Sequence, residues 1–169
     1  MADLVDQFRG QVFGLCYRML GHRQDAEDVT QEAFVRALRS LASFDIRREF
    51  RPWLLAIAGN RCRSFQASRT RQPRQTDEIE KLPDRAGDGQ QARNLAEEVE
   101  FALSRLRVEY RQAFVLFHEH QLSYAEIAES LDCPVGTVKT WVRRARRELA
   151  DQLRRRGVVQ EFPDAVRRV

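Results

Sequence analysis

Apolar residues recur at helical intervals over most of the chain and fall silent in one central stretch. Phe8, Val12, Leu15 and Met19 mark a first helix, which Gly21 ends. A second is predicted from about Asp25 to Leu41, with Ala26, Val29, Ala33, Ala37 and Leu41 as its buried stripe. A third runs from about Arg51 to Arg69, turning Leu54, Ala58, Cys62 and Phe65 to a core, and the charged segment Ser43 to Phe50 joins the two as a loop. From Gln66 to about Arg93 the sequence turns rich in Gln, Arg, Asp, Pro and Gly and the period is lost. It resumes near Asn94 with Val99, Leu103 and Leu106, then Phe114 and Phe117. The expected fold is all-α: one small helical domain over 1–70, a flexible linker over 71–93, a second helical domain over 94–153 and a tail over 154–169 without clear period.

The second domain ends in the sharpest local signal. Ser123 and Glu126 have capping-box spacing, so each can satisfy an orphan amide at the start of a helix. A tight break follows, and Pro134 suits the first turn of the next helix. There Val138, Val142, Ala145 and Leu149 share one narrow stripe, while Lys139, Thr140, Arg143, Arg144 and Arg147 lie roughly opposite. A solvated face normally mixes signs, yet no acid occurs between Lys139 and Arg147. A helix-turn-helix whose second helix carries an unbroken cationic strip points to DNA.

Two faces of the first domain are open to more than one reading. Asp28, Gln31, Glu32 and Val35 line one side of the second helix, which suits a docking surface or a solvated face with a single stray valine; spacing does not choose. On the third helix Trp53, Ala56, Asn60 and Arg63 run in line, as would suit holding an unstacked base. Trp53 alone fits the core at least as well. Asn60, Arg61 and Arg63 together with Arg47, Arg48 and Arg51 favour nucleic acid.

Composition narrows the remaining classes. The net charge is +4, with Lys81 and Lys139 the only lysines, so arginine supplies nearly all the cations. Its planar fork suits phosphate and guanine, although heavy arginine use also follows from a GC-rich genome. Cys16, Cys62 and Cys133 are too few and too scattered for a disulfide framework, and His118, His120 and Cys133 lack the pairing of a zinc site. No phosphate-binding loop, nucleophile elbow or HExxH pair occurs, so neither catalysis nor a cofactor is expected. No apolar run suits a bilayer and Met1-Ala-Asp-Leu does not open a signal segment, so a cytoplasmic location without membrane insertion is expected.

Four segments together resemble bacterial extracytoplasmic-function sigma factors: Asp25-Ala-Glu-Asp-Val-Thr-Gln-Glu-Ala-Phe34, Phe50-Arg-Pro-Trp-Leu-Leu-Ala-Ile-Ala-Gly-Asn60, Ser123-Tyr-Ala-Glu-Ile-Ala128 and Gly136-Thr-Val-Lys139. The resemblance implies sigma domain 2, then sigma domain 4, in a promoter-specificity subunit of RNA polymerase with no chemistry of its own. It implies that Asp28, Gln31, Glu32 and Val35 bind the clamp helices of the largest catalytic subunit. It implies further that Phe44, Arg47, Arg48, Phe50, Trp53, Asn60, Arg61 and Arg63 recognise and open the −10 element. Thr137, Lys139, Thr140, Arg143, Arg144 and Arg147 would read the −35 element. Many relatives are held by an anti-sigma factor, a candidate third partner. The sequence departs from the family pattern at Arg107, Gln121 and Trp141, where proline, glycine and a basic residue are common. The rival reading is a stand-alone helix-turn-helix regulator with an N-terminal dimerisation or sensing domain.

Overall fold

In a computed structural model, which describes residues 2–71 and 90–158, the chain is helical at both ends. Three helices form the first domain: α1 (Ala2–Leu20), α2 (Arg23–Ser40) and α3 (Phe50–Arg71), with a short 3-10 turn Leu41–Ser43 after α2. Four form the second: α4 (Gln90–Ser104), α5 (Val108–His118), α6 (Tyr124–Ser130) and α7 (Val135–Arg155). Most of the linker expected over 71–93 and of the tail expected over 154–169 lies outside the described residues, although α7 runs two residues into the latter.

Local chemistry sets the boundaries. Gly21, at φ 73°, breaks the chain after α1. Ser123 Oγ accepts from the Glu126 amide (3.2 Å) and Glu126 Oε2 from the Ser123 amide (2.7 Å), so the capping box of α6 is complete. Pro134 stands one position before the expected one, as the residue that caps α7 rather than its first helical residue. Val138, Val142, Ala145 and Leu149 are buried, as their period requires. In the α2 stripe Ala26, Val29, Ala33 and Ala37 are buried, but Leu41 is 36% exposed because the helix has already tightened into the 3-10 turn. Gln121 takes φ 53°, the left-handed conformation a glycine adopts freely. Gln121→Gly is expected to raise stability by roughly 0.5 kcal/mol in urea unfolding, since relief of about 1–2 kcal/mol of local strain outweighs the greater freedom of glycine in the unfolded chain.

The two domains are packed against one another. One buried cluster joins Leu15, Met19, Leu54 and Ala58 of the first to Leu116, Ile127, Val138 and Val142 of the second. A smaller cluster, Ala102, Leu103, Leu106, Tyr110, Ala145 and Leu149, belongs to the second domain alone, and Trp141 packs against both. His120 is buried at the junction, where Arg51 Nη2 donates to its carbonyl (2.6 Å). Burial first and the Arg51 charge second hold its imidazole down at about 4, against about 6.5 when unfolded. The unfolded chain therefore binds the extra proton in the window between, and stability falls as pH drops through it. From pH 7 to 5 unfolding free energy is expected to decrease by about 1–2 kcal/mol through this residue, a component that His120→Asn removes.

Candidate nucleic-acid and docking interfaces

On α7 the cationic strip faces outward: Lys139, Arg143, Arg144 and Arg147 are exposed, and Thr137 and Thr140 half-buried. Its members differ in freedom. Arg144 Nη1 donates to the Tyr110 hydroxyl (2.8 Å), which fixes the guanidinium against α5. Lys139 Nζ lies 5.8 Å from the centre of the Tyr124 ring, and Thr140 Oγ1 donates back to the Gly136 carbonyl (2.9 Å). Arg146, next to the strip, donates to His118 Nε2 (3.0 Å). Burial and the Arg146 charge lower the His118 imidazole below its ordinary value, which suits a neutral ring accepting that bond.

The loop before α3 is built on aromatic packing. Phe44 lies 4.6 Å from Trp53 and 5.7 Å from Phe50 between ring centres, and Phe8 of α1 adds a contact to Phe50 at 5.5 Å. Trp53 thus serves the core and the loop together, half-buried. Asp45 closes a turn: its Oδ1 accepts from the Arg47 amide and Nε (both 3.0 Å), and its carbonyl from the Arg48 amide (2.9 Å). Those bonds to Arg47 hold the Asp45 carboxyl below its usual range. The turn presents Ile46, 90% exposed, with exposed Arg47 and Arg48 directly after it. An exposed apolar tip followed by two cations is a feature that spacing does not reveal, because a four-residue turn has no period.

Along α3, Asn60 and Arg63 come together, Arg63 Nη2 donating to Asn60 Oδ1 (2.6 Å). Arg61 departs from them: it turns to α2 and pairs with Glu32, which raises its already high pKa. One residue expected at −10 DNA is thereby joined to one expected at the docking face.

The face of α2 expected to dock is broader than its sequence pattern. Asp28, Gln31 and Glu32 are exposed, Val35 is 45% exposed and Leu38, next along the same side, 41% exposed. Val35 is therefore one of a pair, and an acidic strip with an apolar edge lies on α2 without burying anything of the fold.

Among the described residues, no group of three His, Cys, Asp or Glu side chains could hold a metal ion, and no helix is long and apolar enough to cross a membrane. Cys16 and Cys62 meet between α1 and α3, where hydrogen bonding to Cys16 and burial push the Cys62 thiol far above its ordinary range.

Residues 4–72 match the family model described as Sigma-70 region 2, and residues 96–149 that of Sigma-70, region 4. The chain is 36% identical to the ECF RNA polymerase sigma factor SigW of Bacillus subtilis (strain 168), over 90% of this chain and 88% of that one. It is 34% identical to the ECF RNA polymerase sigma-E factor of Escherichia coli (strain K12), over 89% and 84%. Among solved structures it resembles CnrH in complex with the cytosolic domain of CnrY, at a TM-score of 0.67 and 28% identity over 91% and 87%. The sigma factor RpoE of Bartonella quintana, in complex with the anti-sigma factor NepR, shares the fold at a TM-score of 0.77 and 22% identity over 91% and 98%.

Proposed function

The chain belongs to the extracytoplasmic-function sigma factors, promoter-specificity subunits of bacterial RNA polymerase, and from that premise we propose how its surfaces divide the work. The first domain docks on core polymerase through Asp28, Gln31, Glu32 and Val35, with Leu38 extending the patch. The observation that carries this assignment is the exposed acidic and apolar side of α2, which the fold itself leaves uncovered. The partner is the clamp-helix coiled coil of the largest catalytic subunit. Acids on α2 then give orientation, and Val35 with Leu38 the desolvated centre that a protein interface requires. Membership of the family sets aside a stand-alone regulator, whose operator binding would need no polymerase. No catalytic step is assigned to the chain, and an anti-sigma factor stands third among its partners.

The Phe44, Phe50 and Trp53 cluster with Asn60 forms the −10 site. Ring faces offer stacking to an unstacked base and the Asn60 carboxamide offers edge hydrogen bonds, while Arg47, Arg48 and Arg63 sit where backbone phosphates would pass. Arg61 acts in this reading through Glu32, setting the docking helix against α3. The α7 strip reads the −35 duplex in the major groove.

Capture of an unstacked base matters only after the duplex opens. Phe44→Ala and Asn60→Ala are therefore each expected to lower the open-complex fraction at limiting holoenzyme by roughly fivefold, the low end of about 1–3 kcal/mol per stacked base. Closed-complex formation should change by less than about twofold, because it draws on phosphate and −35 contacts. Permanganate reactivity across the −10 region equal to wild type would remove these two residues from the site.

A further inference from the structure

The seam between the two domains is tight at one point and open at the next. Gln112 of α5 is fully buried over Gly59 of α3, where an added Cβ would collide with it. One turn further along α3 stands Arg63, one turn back along α5 stands Val108, and both line a cleft of about 520 Å³. Sites for small molecules have roughly 300–1,000 Å³. The apolar wall of the cleft comes from both domains, from Leu20 and Phe65 of the first and Leu106 and Val108 of the second. Arg63, Arg69 and Arg111 supply its charge, and no acid lines it among the described residues.

These three cations differ in what balances them. Arg69 pairs with Asp25. Arg63 donates to the Asn60 carboxamide (2.6 Å), and among the described residues no acid pairs with it. Arg111 is only 7% exposed. Its Nη groups donate to the Met19 carbonyl at the end of α1 (2.6 Å) and to the carbonyls of Ser104 and Leu106 where α4 ends, while its buried Nε has no partner. Burial lowers its pKa to about 10, so it is still a cation at neutral pH. A buried charge held by carbonyl dipoles without a counter-charge is costly to the fold, and this one borders a cleft open to solvent. The backbone adds to the same field. Arg107 precedes α5 without a side-chain bond to its first turn, since a guanidinium has no acceptor to offer, and Glu109 is turned to Arg107 (3.7 Å). The positive end of α5, which Leu106 and Val108 bring to the cleft, therefore stands uncapped.

We propose that this cleft is a binding site for a small phosphate monoester with an aromatic or apolar body, its dianion set between Arg63, Arg111 and the start of α5 and its body against Leu20, Phe65, Leu106 and Val108. Two cations without an acid call for two negative charges, which a phosphate monoester nearly carries at neutral pH and a carboxylate does not. The apolar wall selects an organic phosphate over the inorganic ion. Arg63 is shared with the −10 site proposed above, but the cleft and its charge do not depend on that assignment.

Titration of the full-length chain with 1-naphthyl phosphate, a fluorescent monoester, tests the site at about pH 8, above its second pKa of about 6. The probe is expected to bind at least about tenfold more tightly than inorganic phosphate, which lacks the body, and than 1-naphthol, which lacks the charge. Val108→Asp puts a carboxylate at the first position of α5, where a helix favours an acid, so the fold is kept while the cleft gains an anion of its own. Naphthyl phosphate binding should then weaken about tenfold or more, and Arg63→Gln should weaken it by a similar factor. Arg147→Ala, on the outer face of α7, should leave it within about twofold. Inorganic phosphate binding as tightly as the monoester, or a loss in Arg147→Ala equal to that in Arg63→Gln, assigns the affinity to the arginine-rich surface at large and overturns the site. Absence of binding by the wild type, or binding undiminished in both cleft variants, overturns it as well. Should Val108→Asp unfold, Arg63→Gln set against Arg147→Ala decides alone.

Discussion

Core RNA polymerase is expected to lose at least about 100-fold of its affinity for a chain carrying Asp28→Arg, Val35→Glu and Leu38→Glu, while unfolding free energy changes by less than about 1 kcal/mol. The two halves of this expectation come from one observation. All three side chains lie on the exposed side of α2, whereas Ala26, Val29, Ala33 and Ala37 carry its packing. Substitution there leaves the fold's contacts in place, but it reverses a charge and puts two carboxylates where a partner must desolvate apolar surface. Each such insult at an interface centre costs about 2 kcal/mol or more. Glu32 is left unchanged because its pairing with Arg61 would confound the stability control. A pull-down with core polymerase checks binding and urea unfolding checks the fold. Undiminished recovery of polymerase would remove α2 as the docking helix.

The recognition helix should separate into readers and anchors. Arg143→Ala is expected to cost about 1–3 kcal/mol of holoenzyme affinity for the cognate −35 element and to relax preference at one or two of its positions, as loss of a base-edge contact does. Arg147→Ala, a turn further along, should weaken all −35 sequences alike and lower the slope of affinity against salt by about one. Arg144 behaves differently from either, since its bond to the Tyr110 hydroxyl restrains where it can reach. Tyr110→Phe is therefore expected to change −35 preference without touching DNA itself. A −35 library selected with each mutant holoenzyme decides the matter: a sequence logo altered by Arg147→Ala and untouched by Arg143→Ala would reverse the assigned orientation of α7.

Features that depend on neighbours a few residues apart were legible without coordinates. The Ser123–Glu126 capping box, the Val138–Leu149 stripe and the cationic strip opposite it all follow from helical spacing, and each is present. Family resemblance supplied expectations that spacing left open, namely that a strip on α2 would dock and a loop before α3 would read DNA. What neither source exposed depends on residues far apart in the chain. Nothing local marks Gly59 as the seat of Gln112, since a helical glycine ordinarily signals only a weak helix position. Arg111 reads as one more surface cation, yet it is buried on carbonyls 92 residues away and nearby alike. Arg61 looked equivalent to Asn60 and Arg63, but the turn of α3 sends it to Glu32. Gln121 is a different case: its departure from the family's glycine is visible in the sequence, and its left-handed backbone is the physical content of that departure.

The most direct test of the whole account is reconstituted transcription from fragmented genomic DNA of the source organism, using core polymerase with and without the full-length chain and mapping RNA 5′ ends. The account predicts new start sites only when the chain is present, all preceded by two shared sequence blocks near −35 and −10, and their loss with the Asp28, Val35 and Leu38 variant. An unchanged set of start sites, with the chain binding duplex DNA just as tightly in the absence of polymerase, would contradict it.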